Sequence, residues 1–414
     1  MDKRLNFVGV ASMYIGVIMG AGFASGRECW QFFGVFGKAG YIGIIITGIG
    51  FLIISWIITF LAISKETIVL GEIISPIKSK FVYSLIDKIL AVIYYSMLIA
   101  MASAGGSLLN QIFGAPQWVG GAIITLLTLI TVLGSFSRVS KIFRRFVPVL
   151  FCICVTAIIL VLITQSRDAV SDSAINLNIG TSWQKSSLLF LSYNCMGMMT
   201  IVGSSAVAAK GSKHALGGGT LGVFLLTLIT LLLLKVLLID PKFSSSLSLP
   251  MVGWSSAIDK KFGLLYAVVL MGAIYQTATS TYYGFSITIS YEKTKKYVLM
   301  TGALIAFAAG LTDFKRVVSI LYPAQGYIGC LILLLILLNF IKEIETFYKY
   351  LKLVNSKDYK DLVKRNVSFN ISINEFNLQL LQKLKEKGFI ESFSQIDEFI
   401  YEVITIKDKE KFID

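Results

Sequence analysis

Gly16-Val17-Ile18-Met19-Gly20-Ala21-Gly22-Phe23-Ala24-Ser25-Gly26-Arg27-Glu28 lies inside a hydrophobic stretch that would otherwise read as one membrane-spanning helix. Its four glycines each weaken a helix by about 1 kcal/mol relative to alanine. Arg27 and Glu28 follow at membrane depth. In hydrocarbon, irregular backbone and charge are tolerated only where they face protein or a water-filled cavity. The stretch is therefore expected to be a broken helix lining a solute site. Gly16-x-x-x-Gly20 and Gly22-x-x-x-Gly26 also fit close helix packing. Packing alone does not explain why Gly20, Gly22, Ser25 and Gly26 crowd before a charged pair.

The rest of the chain is in keeping with a membrane setting. Of 414 residues, 55% are hydrophobic and 15% charged, which excludes an ordinary soluble chain. The N-terminal apolar run leads into Gly22–Gly37 with no small-residue cleavage site and polar mature domain after it, so it does not read as a cleavable signal peptide. The five cysteines lie in or beside apolar segments without metal or disulfide spacing. The net charge of +14 resides wholly before residue 342, because the remainder carries 13 basic and 13 acidic residues. That location points to a lipid bilayer as the partner and not to nucleic acid.

Ten apolar segments are long enough to cross about 30 Å of hydrocarbon: 6–36 (broken), 40–64, 86–113, 116–136, 146–165, 187–209, 215–239, 262–290, 297–313 and 317–341. With the N-terminus in the cytoplasm, 15 Lys/Arg fall in inner loops and 8 in outer loops, so both termini are expected inside. The outer loops 166–186 and 240–261 each have room for a short surface helix. Residues 1–341 read as a ten-span domain with halves 1–165 and 187–341. The tail, 342–414, reads as a small helical or α+β cytosolic module, with a helix over 374–387 and a strand over 399–406.

A broken helix carries its own chemistry. The start of its second half exposes amides that suit a carboxylate, with Ala24, Ser25 and Gly26 the expected donors. The end of its first half exposes carbonyls that suit a cation, in the region of Ile18, Ala21 and Phe23. Ser192-Tyr193-Asn194-Cys195-Met196-Gly197 interrupts the sixth segment in the corresponding place, as paired discontinuous helices of inverted repeats do. The alternative is a polar interhelical hydrogen bond from Asn194. A third polar run, Tyr275-Gln276-Thr277-Ala278-Thr279-Ser280-Thr281, offers hydroxyls to a hard cation, unless they bond their own i−4 carbonyls. Lys235, near a helix end, is expected to snorkel to the interface. Arg27 and Glu28 read either as a structural pair or as gating or coupling groups, with Glu28 a proton or cation site in the second case.

Gly16-x-x-x-Gly20-Ala21-Gly22-Phe23-Ala24-Ser25-Gly26-Arg27-Glu28, followed by Gln31-Phe32-Phe33 and Phe36-Gly37, resembles the opening signature of YkvI-like bacterial membrane proteins. Ser192-Tyr193-Asn194 resembles that family's sixth span. The family in turn resembles the amino acid–polyamine–organocation superfamily, whose LeuT-type fold is a 5+5 inverted repeat with broken helices 1 and 6. The resemblance spans residues 5–340 and implies an all-α secondary transporter in the bacterial cytoplasmic membrane. It implies substrate contacts at Gly20, Gly22, Phe23, Ala24, Ser25, Gly26, Tyr193, Asn194 and Gly197. It matches Thr279 and Ser280 to a Thr-Ser pair that ligates Na⁺ in sodium-coupled relatives, alongside Ile18 and Ala21. The fifth segment lacks the lysine of proton-coupled relatives, which favours Na⁺, whereas Glu28 keeps H⁺ open.

The expected function is cation-coupled uptake of a small amino acid or related solute by alternating access, without an organic cofactor. The alternative is a non-transporting sensor or germinant-receptor-like subunit, motivated by the tail. Flux after deletion of residues 345–414 separates the two. An enzyme is not expected, because the single histidine, His214, lies in a lysine-bearing loop away from any nucleophile–base set.

Overall fold

The computed structural model describes residues 5–65, 70–77, 79–134, 136–165, 182–289 and 292–354. These residues contain no strand beyond an isolated parallel bridge between Leu5 and Ala209. The first segment comprises α1 (Phe7–Ile18), α2 (Ala21–Ala24) and α3 (Arg27–Phe32), then a 3₁₀ turn over Gly34–Phe36. There follow α4 (Ala39–Ser64), α5 (Leu70–Ile74), α6 (Lys80–Phe113), α7 (Gln117–Leu133) and α8 (Phe136–Thr164). The chain continues with α9 (Trp183–Ala208), α10 (Ser212–Leu237), α11 (Pro241–Ser246) and α12 (Pro250–Ile258). It closes with α13 (Lys260–Ile287), α14 (Glu292–Ala309) and α15 (Phe314–Val354).

The chain divides into two units, Met1–Asn339 and Phe340–Asp414. In the second, description stops at Val354, so the expected helix at 374–387 and strand at 399–406 lie outside the described residues.

Five stretches are long and apolar enough to cross a membrane: α4, α6, Lys213–Leu237 of α10, α13, and Phe314–Glu345 of α15. Phe7–Gly16, Gln117–Leu133 and Pro148–Thr164 are shorter apolar helices. The exposed side of α4 carries Ile42, Ile46, Ile49 and Ile53, and that of α7 carries Leu126, Leu127, Ile130 and Leu133. Such stripes, at helical spacing, are costly in water and cost nothing in lipid. The chain is a multi-pass helical membrane protein.

Within the first unit, α4 packs against α9, α1 against α10, and α10 against α4, while α6 packs on α7 and α13. Absent side chains bring these helices close. A Cβ at Gly218 of α10 would lie 2.6 Å from the Phe7 carbonyl, and one at Gly222 2.7 Å from Tyr14 Cβ. Small residues allow this approach where lipid supplies no hydrophobic drive between helices.

The loop after α10 differs from the expected surface helix. Asp240 caps α11 by accepting a hydrogen bond from the Phe243 amide at 2.9 Å, and Pro241 and Pro250 begin α11 and α12. Pro250, Met251, Val252 and Trp254 are buried, so α12 is part of the packed body.

The sixth segment also differs from expectation. It is not broken: α9 runs continuously from Trp183 to Ala208. Two polar residues of the expected break are satisfied within the helix. Ser192 Oγ donates to the Leu188 carbonyl at 2.6 Å, and Asn194 Nδ2 to the Phe190 carbonyl at 3.0 Å. Bonds of this i−4 type leave the helical ladder intact, and the one remaining weak position, Gly197, costs only about 1 kcal/mol.

Candidate functional site

The break in the first segment lies where the glycines crowd. After Met19, Gly20 is fully extended, with ψ −177°, and α2 lasts one turn. Gly26 then adopts φ +78°, a left-handed conformation that L side chains rarely adopt, before α3 starts. A Cβ at Gly26 would also lie 2.9 Å from Met251 Cγ. All of α2 and α3 is buried.

Hydrogen-bond accounting revises one expectation. The amides of Ala24, Ser25 and Gly26 are not open donors: they bond the carbonyls of Gly20, Ala21 and Phe23 at 3.0, 2.9 and 2.9 Å. A four-residue helix closes on itself, which uses up the donors a longer half-helix would present. The Ala24 carbonyl accepts from Tyr266 Oη at 2.6 Å, and the Ser25 carbonyl from the Met251 amide at 2.9 Å. Ser25 Oγ donates to the Gly22 carbonyl at 2.7 Å and accepts from the Arg27 amide at 3.1 Å. On the other side of the break, the Ile15 carbonyl bonds the Met19 amide. The carbonyls of Gly16, Val17 and Ile18 thus end α1 beyond its last ladder bond, as cation-binding helix ends do.

Arg27 and Glu28 do not form a pair. Successive helical residues diverge by about 100°, and these two find separate surroundings. The Arg27 guanidinium donates to Gln31 Oε1 at 3.3 Å and to the Leu247 carbonyl, ahead of α12, at 3.4 Å. Its Nε is buried without a partner among the described residues. Glu28 turns toward the break. A Cβ on Gly22 would overlap its carboxyl, and Tyr193 Oη of α9 donates to its Oε2. Glu28 is only 5% exposed, and among the described residues no lysine or arginine makes ion-pair contact with it.

Tyr193 sits in an aromatic cluster. Its ring stacks on Phe32 at 5.9 Å and meets Phe190 edge-on at 5.7 Å and Tyr322 of α15 at 5.1 Å. Phe23 lines a small apolar cavity with Phe33, Ile44, Phe51 and Phe190. Tyr193 thus meets the break, while Asn194 is spent on its own helix. Gly197 is exposed, with open space where a Cβ would stand.

The Thr279–Ser280 pair does not converge on the break. Tyr266 and Thr277 of α13 face it: Thr277 Oγ1 accepts from the Ala21 amide at 3.5 Å and lies 3.4 Å from a Cβ placed on Gly20. Thr279, two residues on, is fully buried with a hydroxyl that has no partner among the described residues, and Ser280 is exposed. Among the described residues, no group of three or more His, Cys, Asp or Glu side chains is arranged to hold a metal ion.

Sequence reasoning did not single out Thr277, Tyr266, Tyr322 or α12. Tyr266 and Thr277 stand eleven positions apart, three helical turns, so the period from Thr277 carries that signal. Tyr322 precedes Pro323 inside α15, and such a proline is a mark of irregularity in a span.

No family model matches the chain. YyaD of Bacillus subtilis, described as an uncharacterized protein, is 22% identical over 328 residues, which cover 79% of this chain and 94% of that one. YkvI of the same organism, described as an uncharacterized membrane protein, is 23% identical over 342 residues, covering 77% and 92%. The resemblance to YkvI carried by the opening signature thus extends over most of both chains. Among solved structures, the Eremococcus coleocola manganese transporter, in complex with an aromatic bis-isothiourea substituted compound, aligns with TM-score 0.50 at 15% identity. The alignment covers 98% of this chain and 95% of that chain. The chain is similar along most of its length to two Bacillus subtilis proteins, one of them described as a membrane protein, and shares its fold with a manganese transporter of known structure.

Proposed function

We propose that the chain is a secondary active transporter that takes up a small amino acid or related solute, coupled to Na⁺ or H⁺, by alternating access around the break at Met19–Gly26. The observation that carries this reading is a helix broken at membrane depth with a buried, unpaired carboxyl beside it. Such a break is costly in a purely structural helix and is a means of presenting backbone to a solute. The shared fold with a solved manganese transporter supports transport and not enzymatic chemistry. Manganese itself is not carried over, because a cluster of His, Cys, Asp or Glu ligands is missing from the described residues.

Two further features support alternating access. The α1–α10 and α4–α9 contacts exchange the first two segments of one half with those of the other, as a two-fold relation between halves 1–165 and 187–341 produces. A LeuT-type layout is in keeping with that exchange, modified by a continuous α9. The break is also covered from both ends. At one end, α12 and the Leu247 carbonyl close over Ser25 and Arg27. At the other, Leu5 bonds the Ala208 carbonyl and the Lys210 amide at 2.8 and 2.9 Å. The excess of Lys and Arg in the loops on the Leu5 side supports a cytoplasmic Leu5 end, with Arg27 then at the outer closure.

The test is uptake into proteoliposomes of a pool of labelled amino acids under a Na⁺ gradient, a pH gradient, or neither. The proposal requires accumulation driven by at least one gradient; its absence with the whole pool under both gradients refutes it.

A further inference from the structure

Among the described residues, Glu28 is the carboxyl that the fold brings against the break. Gly22 contributes no side chain, so the carboxyl touches the main chain of α2 itself. Tyr193 donates to one oxygen from α9. From α15, Tyr322 brings a fully buried hydroxyl with no partner among the described residues, its ring 5.1 Å from that of Tyr193. Three parts of the fold that separate in an alternating-access cycle (the broken segment, α9 and α15) thus meet at one carboxyl.

Among the described residues, no compensating cation is built in. Arg27, the adjacent residue, is directed to Gln31 and Leu247. Among the described residues, the other titratable groups facing Glu28 are Tyr193, Tyr322 and the neighbouring thiol of Cys29. Cys29 in turn lies toward the Thr230 carbonyl of α10 and toward Tyr41 of α4. Tyr266 of α13 is committed to the Ala24 carbonyl. None of these supplies a positive charge. An ionised carboxylate buried at membrane depth without a cation costs several kcal/mol. A proton removes that cost and gives the carboxyl a donor, for which the orphaned Tyr322 hydroxyl is the neighbouring acceptor.

Resting on the transport reading above, we propose that Glu28, flanked by the hydroxyls of Tyr193 and Tyr322, is the proton-carrying site of the cycle. The proton enters from the outer solution onto the Glu28 carboxylate while that side is open. It travels as the neutral acid while both ends are covered, and leaves to the inner solution, which restores the carboxylate. Contact with Gly22 transmits the change to the break, because neutral and ionised carboxyls cannot occupy the same backbone crevice on equal terms.

The experiment is pH-difference infrared spectroscopy on the full chain in lipid vesicles, a readout that needs no solute. The expected result is a carboxylic acid C=O band that grows as pH falls, disappears in Glu28→Gln, and moves to higher frequency in Tyr193→Phe, where the donor is lost. In Glu28→Asp, which keeps the acid, a displaced band should persist; this variant carries the test if Glu28→Gln does not fold. An acid band unchanged in Glu28→Gln overturns the proposal. So does a Glu28 band of constant intensity across about pH 5 to 9, since that marks a permanently neutral group. Proton entry accompanying the labelled amino-acid pool completes the test. Flux with undiminished proton entry in Glu28→Gln refutes the proton site and leaves transport standing. A titrating Glu28 band without flux refutes transport and leaves the proton site standing.

Discussion

Gly22→Ala probes the central contact of the site most sharply. The added Cβ falls on the Glu28 carboxyl, inside the distance that real Cβ contacts keep. Two responses are open: the backbone of α2 shifts, or Glu28 swings away and loses its bond from Tyr193. Overpacking a tight interior costs about 1–3 kcal/mol. Depriving a buried polar group of its hydrogen bond costs about 1–3 kcal/mol. The substitution is therefore expected to destabilise by about 1–3 kcal/mol in the native background, since the two costs are alternatives. The control is the same change in a Glu28→Ala background. There the obstructing carboxyl is gone, and alanine improves the local helix by up to about 1 kcal/mol. The cycle should yield a coupling energy of at least about 1 kcal/mol between positions 22 and 28. Thermal unfolding of the purified chain in detergent, followed by tryptophan fluorescence, reads it out. An equal cost in both backgrounds refutes the contact and with it the placement of Glu28 in the break.

Other substitutions separate positions that look alike in sequence. Gly26→Ala forces a side chain into a left-handed conformation and against Met251, so stability falls by about 1–3 kcal/mol; Gly197→Ala, in a continuous helix with open space, is neutral or gains up to about 1 kcal/mol. Comparable losses at both contradict the continuity of α9. Tyr193→Phe leaves Glu28 without its donor and lowers unfolding stability by about 1–3 kcal/mol, while Asn194→Ala, which removes a bond within its own helix, costs less; the reverse order in a thermal melt refutes the assignment. Thr277→Val, at the break, weakens solute uptake by up to about tenfold through one lost hydrogen bond; Ser280→Ala leaves it near native, and the opposite ranking restores Ser280 to the site.

Most of the helical plan can be read from the sequence because lipid imposes a simple rule: apolar runs of a given length become helices. The break in the first segment was legible for a related reason, since glycines crowd there and Gly26 occupies a left-handed conformation that few residues adopt freely. The sixth segment misled because Asn194 and Gly197 carry the same local signal as a break. The signal is local, but the outcome depends on whether a polar side chain finds its own i−4 carbonyl, as Ser192 and Asn194 do. In the third polar run, a string of hydroxyls says nothing about which one meets a neighbour; Thr277, in phase with Tyr266, is the one whose bond to the break is seen. The parting of Arg27 from Glu28 depends on Leu247 and Tyr193, both more than 150 positions away, beyond any short-range pattern.

The contact between α1 and the glycines of α10 bears on how mutations are read. Gly218 and Gly222 hold nothing in place through a side chain, so truncation at these two positions has no contact to remove. The sensitivity runs the other way: any added volume pushes α1 off its track. A loss-of-contact scan would score this seam as silent, whereas a saturation library would show it as a line of positions that accept a single amino acid. If the chain works as proposed, that line follows the seam between α1 and α10 along which the first part of the broken segment would move.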